Sequence, residues 1–205
     1  MCNKKEQFNM KLDALPPGQY EVPALLKWNI DHPGIVAKNP QFNPDRWTLT
    51  VDGKVKTPLK LSWHDFLKLP AAESTSDLHC VEGWSVRSLK WYGVQFNTLI
   101  NIVRPHEDAK AANFKCSDGY TTSLELKALS GDNVLLAYKL NGKLLEVSLG
   151  GPLRLVVPDK YAYKSAMWVE RVTFIQEGEL GYWERRGYSD TADVWKNDRF
   201  AEKRA

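Results

Sequence analysis

This 205-residue chain is poor in cysteine, with only Cys2, Cys80 and Cys116. Three scattered cysteines are not a disulfide framework, and none falls in a CxxC pair of the kind that builds structural zinc sites. One cysteine is therefore left to act alone. No run of ~18 apolar residues exists, so no helix of the sequence spans a membrane. The longest apolar stretches, such as Val134-Leu135-Leu136-Ala137-Tyr138, have the length of strands. Neither sign of charge dominates: 28 Lys and Arg against 25 Asp and Glu leave +3. That balance is too mild for a nucleic-acid partner, yet it leaves room for a local cationic pocket that takes a small anion. There is no internal repeat and no low-complexity tract. With 43% hydrophobic and 26% charged residues, the composition is that of a folded globular chain.

The N-terminus, Met1-Cys2-Asn3-Lys4-Lys5-Glu6-Gln7, lacks the apolar centre of a signal peptide. It reads either as an ordinary cytoplasmic start or as the tether of a periplasmic lipoprotein whose removed signal preceded Cys2. Residues 1–45 form an irregular arm punctuated by Pro16-Pro17-Gly18, Pro23, Pro33-Gly34, Pro40 and Pro44. Leu25, Leu26, Trp28 and Ile30 give that arm apolar residues with which to pack. Residues 46–190 read as one domain, and 191–205 as a charged, aromatic tail.

Within the domain, Trp47-Thr48-Leu49-Thr50-Val51 alternates before a turn at Asp52-Gly53. Ser62 caps a short helix, with Asp65 three residues on and Phe66, Leu67 and Leu69 as its apolar face. Phe96, Leu99, Ile100 and Val103 recur at helical spacing over about residues 95–103. Asn141-Gly142 joins a hairpin of Val134–Leu140 and Lys143–Leu149. Leu153–Val157 and Trp168–Ile175 read as further strands. The expected class is α+β, a single mainly-β mixed domain with short helices.

Three segments carry chemistry. Cys80 lies in Asp77-Leu78-His79-Cys80-Val81-Glu82-Gly83-Trp84-Ser85, on a connection where His79, Glu82 and Arg87 could favour the thiolate that attacks electrophiles or binds soft metals. A buried structural thiol is the plain alternative. Arg154 interrupts the apolar run Pro152–Pro158, where a guanidinium must be paired. A core carboxylate or a phosphate would serve equally. Tyr161-Ala162-Tyr163-Lys164-Ser165-Ala166-Met167-Trp168 offers backbone N–H groups and an ammonium to an anion.

Taken in order, these segments resemble the sulfite oxidase superfamily over about residues 15–190. His79–Ser85 followed by Trp91-Tyr92-Gly93-Val94 resembles its molybdenum-ligand segment. Leu135–Gly142 is similar to a substrate-side strand, and Gly150–Pro158 with Lys164-Ser165 and Trp168 to a pterin-phosphate segment. Gly181–Tyr188 and the Leu15-Pro16-Pro17-Gly18-Gln19 arm are similar to parts of its short bacterial members.

The resemblance implies a molybdopterin cofactor whose molybdenum is bound by the Cys80 thiolate. It implies that Arg154, Lys164, Ser165, Ala166 and Met167 hold the phosphate, and that His32 contacts the pterin. Tyr138 and Glu82 would act with Cys80 in catalysis, as proton donor and proton shuttle. Met167 departs from the Lys or Arg of many relatives. The expected activity is two-electron oxygen-atom transfer on a small sulfur- or nitrogen-containing substrate of sulfite or sulfoxide type. No haem and no second redox centre are expected, and the expected form is a monomer served by a separate electron partner. A non-catalytic pterin- or anion-binding protein of the same fold is the alternative. A cysteine hydrolase with His79 as base is a third reading, which an extended segment would disfavour because adjacent residues point to opposite faces.

Overall fold

Eleven strands and three α-helices are present among residues 14–202, which the computed structural model describes. The strands are β1 (Tyr20–Glu21), β2 (Thr48–Gly53), β3 (Leu59–Ser62), β4 (Ala71–His79), β5 (Trp84–Gln95), β6 (Ala111–Cys116), β7 (Thr121–Glu125), β8 (Leu135–Leu140), β9 (Lys143–Leu144), β10 (Arg154–Val156) and β11 (Val169–Ile175). The helices are α1 (Trp63–Phe66), α2 (Phe96–Val103) and α3 (Leu126–Leu129). One sheet runs β1-β5-β8-β10, with β4 also on β5 and β9 on β8; the other runs β3-β2-β11-β6-β7. This is the expected mainly-β α+β architecture. Cys2 lies outside the described residues.

Local chemistry explains several elements. The Ser62 hydroxyl accepts from the Asp65 N–H at 3.1 Å and starts α1. Phe66 is fully buried, but Leu67 is exposed, because the helix ends at Phe66 and the chain turns outward. In α2, Phe96, Leu99 and Val103 are buried, and Ile100 is half-buried at the stripe's edge. Asn141 (φ +50°) and Gly142 (φ +79°) adopt the left-handed pair of a tight hairpin turn. The returning strand is shorter than its pattern suggests. Trp28 N–H and Trp168 Nε1 take the carbonyls of Ser148 and Val147, each at 2.8 Å, so residues 147–149 curl into a 3-10 turn.

The sheet containing β5 and β8 separates two cores. Alternation along β8 sends Leu136 and Tyr138 into the larger cluster, with Val94, Phe96 and Leu155. Leu135 and Ala137 face the smaller cluster, with Cys80, Trp84, Trp91 and Val156. Val22, Leu25, Leu26 and Trp28 from the N-terminal segment cover this smaller cluster. Ile30, by contrast, is exposed.

Candidate functional site

Cys80 follows the last residue of β4, in a turn closed by its own N–H to Trp84 O (2.8 Å) and Gly83 N–H to its carbonyl (3.0 Å). Gly83 adopts φ +108°, a conformation costly for any side-chain-bearing residue. The thiol is buried. Burial pushes it up to about 12, and the Glu82 carboxylate adds to the effect. The protein alone therefore keeps Cys80 protonated, contrary to the thiolate-favouring surroundings expected from the sequence.

Glu82 stands at the mouth of this site. Its Oε2 lies 3.7 Å from Cys80 Sγ and accepts from Trp84 Nε1 at 3.0 Å, while Oε1 lies 3.0 Å from His32 Nε2. Partial burial raises the Glu82 carboxyl, but the hydrogen bonds from His32 and Trp84 outweigh it and leave it below the usual carboxylate range. His32 stacks on Trp28 with ring centroids 4.7 Å apart, and its Nδ1 meets Pro33 O at 2.8 Å. His79 turns away from Cys80 to Ser85 Oγ at 2.8 Å, and burial lowers its pKa. Arg87 is paired with Asp77 at 3.7 Å.

Arg154 is buried at 3% exposure on the same sheet face as Ala137, its cross-strand partner. Its guanidinium lies 5.8 Å from the Trp91 ring centroid and donates through one terminal nitrogen to Leu149 O at 2.9 Å. Among the described residues it has no carboxylate partner, and its Nε has no acceptor. Burial lowers its pKa to about 10, and a Cys80 thiolate would work in the opposite direction. A buried cation in this state calls for an anion. Gly150, at φ +105°, lets the Met167 and Arg154 side chains pack directly on the backbone: a Cβ there would stand 2.9 Å from Met167 Cγ and 3.1 Å from Arg154 Cδ.

The structure does not bring all expected site residues together. Lys164, placed on the phosphate by resemblance, is fully buried and reaches the other sheet. Its ammonium donates to Glu184 Oε1 (2.6 Å), Ser123 O (3.0 Å) and Asp190 Oδ1 (3.0 Å), which occupies all three of its donors. Ser165 Oγ accepts from Val157 N–H at 3.0 Å, and Ala166 packs in the larger cluster with its carbonyl on Leu155 N–H. Met167 pairs with Arg154 in a β-bridge and stays at its side. Tyr138 lies on the other face of the sheet. It sits among Tyr92, Trp63 and Phe66, with centroids 5.5, 6.0 and 6.1 Å away, in the larger cluster. The period of two along β8 turns its ring to the sheet face opposite that of Ala137 and its cross-strand partner Arg154.

Trp28, Trp84, Trp91, Gln19 and Arg199 also shape the site; the first four fall in segments singled out from the sequence but had no site role of their own, and Arg199 was not singled out. The Trp84 Nε1 donor was within two residues of Glu82 and was legible in principle. Gln19 and Arg199 meet Cys80 only through the tertiary fold.

A cysteine beside a buried, anion-demanding guanidinium fits an anionic, metal-bearing cofactor. The family model for the oxidoreductase molybdopterin binding domain matches residues 36–183. The chain belongs to this family. It is 39% identical over 155 residues to the uncharacterized oxidoreductase YuiH of Bacillus subtilis, covering 76% of this chain and 78% of that protein. It is 32% identical over 141 residues to the putative protein-methionine-sulfoxide reductase subunit YedZ1 of Azospira oryzae, covering 69% of this chain and 53% of the relative. For the protein-methionine-sulfoxide reductase catalytic subunit MsrP of Campylobacter jejuni the identity is 29% over 177 residues, covering 78% and 59%. The chain thus spans little more than half the length of these two reductase relatives. Among solved structures, the sulfane dehydrogenase SoxCD of Paracoccus pantotrophus matches with a TM-score of 0.64 at 20% identity, over 69% of this chain and 41% of that one. That likeness shows a shared fold. The chain is therefore a molybdopterin-binding oxidoreductase domain of the sulfite-oxidase fold.

Proposed function

We propose that this domain transfers an oxygen atom to or from a small sulfur or nitrogen compound, a sulfoxide first among them, with Cys80 as the metal ligand. One observation carries the reading: Cys80 is buried in one cluster with Trp91, and against the Trp91 ring lies a buried guanidinium, that of Arg154, with no carboxylate partner among the described residues. Such a cation is a liability to the fold unless an anion completes it. The names of the reductase relatives support the sulfoxide class.

When bound, the cofactor supplies a two-electron redox centre at which oxygen passes between substrate and water. The chain's own residues do the rest. Cys80 would hold the metal as its thiolate, the ligating form, with its proton released. Arg154 neutralises the anionic end of the cofactor beside the Ser165–Met167 backbone, and its planar donors suit phosphate oxygens. Lys164 holds Glu184 and Asp190 and supports this segment from behind. Glu82 is half-exposed, so it can carry a proton from solvent to within 3.7 Å of the sulfur. His32 and Trp84 fix the direction of its carboxylate. Electrons come from a separate partner.

The test is metal and pterin analysis of protein made in a molybdenum-competent host, with sulfoxide reduction measured against an artificial electron donor. About one molybdenum per chain, turnover of the sulfoxide, and loss of both in Cys80→Ser are expected. Full metal occupancy in Cys80→Ser, or turnover independent of molybdenum, would contradict the proposal.

A further inference from the structure

The turn that carries Cys80 is gripped by residues outside the 36–183 stretch that the family model matches. The Cys80 carbonyl accepts from Gln19 Nε2 at 3.1 Å, and Gln19 Oε1 accepts from Ser85 Oγ at 2.9 Å. The next carbonyl, that of Val81, accepts from a terminal nitrogen of Arg199. The second terminal nitrogen of Arg199 donates to Gly18 O at 2.8 Å, and its Nε donates to Asn197 Oδ1 at 2.8 Å. The guanidinium carbon lies 5.6 Å from the Tyr161 ring centroid, and the Tyr161 hydroxyl donates to the same Asn197 oxygen at 3.1 Å. Each nitrogen of Arg199 is engaged, and together they join residues 18, 81 and 197. Gly83 completes the contact: a Cβ there would stand 3.2 Å from Gly18 O.

The segment that delivers Arg199 is itself anchored. Lys164 holds Glu184 and Asp190, and the Tyr163 hydroxyl donates to Ser189 O at 2.6 Å. Ser189 N–H donates to the Arg199 carbonyl at 3.1 Å. Residues 19 and 199 both lie beyond the 36–183 match.

We propose that Arg199, assisted by Gln19, is a positioning residue for Cys80: by fixing the carbonyls of residues 80 and 81 it sets where the sulfur is presented. The functional consequence rests on the reading of Cys80 as metal ligand; the mechanical part does not. The guanidinium is suited to the task because its donors point in fixed, coplanar directions, whereas an ammonium offers a compact charge without that fork.

The mechanical part is tested in the metal-free full chain by iodoacetamide labelling with peptide mapping. Cys116, buried in the larger cluster, reports global opening in the same sample. Arg199→Ala and Gln19→Ala should each speed Cys80 labelling about tenfold or more with Cys116 unchanged, and Arg199→Lys should fall between wild type and Arg199→Ala. In protein from a molybdenum-competent host, the bound metal should fall in the same order. Should Arg199→Ala fail to accumulate, Gln19→Ala and Arg199→Lys carry the comparison. Parallel rises at Cys80 and Cys116, unchanged Cys80 labelling, or unchanged molybdenum in variants whose Cys80 labels faster would each overturn the proposal. Molybdenum retained by Cys80→Ser is a separate result, one that concerns the identity of the ligand and leaves the labelling order untouched.

Discussion

Arg154→Met replaces the buried guanidinium with an apolar chain of similar reach. The fall of the Arg154 pKa from 12.5 to about 10 expresses the cost of holding the charge in the fold. Converted, that fall is roughly 3 kcal/mol. The sign follows from linkage. A base whose folded pKa is depressed binds its proton less readily when folded, so at pH 7, well below both values, the whole cost is present. Removing the charge relieves it. Against this stand the hydrogen bond to Leu149 O, about 1 kcal/mol, and the contact with Trp91, about 0.5–1 kcal/mol. The metal-free variant should therefore be more stable than wild type by about 1–2 kcal/mol, a rise of a few degrees in Tm. Urea denaturation of metal-free protein at neutral pH measures this. Protein from a molybdenum-competent host should at the same time lose most of its pterin, read by fluorescence of the released cofactor. A metal-free variant destabilised by about 3 kcal/mol or more, the signature of a broken buried ion pair, would refute the reasoning. So would full pterin content.

Lys164→Met should do the reverse and destabilise the metal-free chain by about 3–5 kcal/mol in urea, because Glu184 would be left buried without its cation. Tyr138→Phe should change the turnover of loaded enzyme by less than about threefold, whereas a residue giving its proton to the reaction would cost roughly 10²–10⁴-fold. The metal-free chain should lose stability above pH 9, because the folded state keeps a Cys80 proton that the unfolded state releases. The loss is about 1 kcal/mol between pH 9 and 10 relative to Cys80→Ala, and it should vanish in loaded protein, where the sulfur carries no proton. Denaturant titrations of the two proteins across that range decide it.

The sequence was most readable where one local force acts alone. The Asn141-Gly142 turn, the Ser62 cap and the stripe of α2 need no distant partner to be recognised. Strands β4 and β5 were missed, although they form the longest pairing in the fold. The residues of β4, Ala-Ala-Glu-Ser-Thr-Ser-Asp-Leu-His, sit on a sheet edge, so half-exposed polar positions blur the alternation. At the site, Cys80 and Arg154 stood out as chemically odd, a thiol without a mate and a charge in an apolar strand. Their proximity depended on cross-strand register, which a sequence does not print. The same gap hid the surroundings of Lys164 and Tyr138. Each lies next to site residues along the chain, but the pleat turns Tyr138 to the opposite face, and Glu184 and Asp190, in a later segment, take the Lys164 ammonium.

X-ray absorption at the molybdenum edge, on loaded wild type and on any metal-bearing fraction of Cys80→Ser, addresses the metal–sulfur bond itself. A sulfur shell that is smaller by one atom in the variant is the expected result. An identical shell in the two proteins would show that the metal is held without this cysteine.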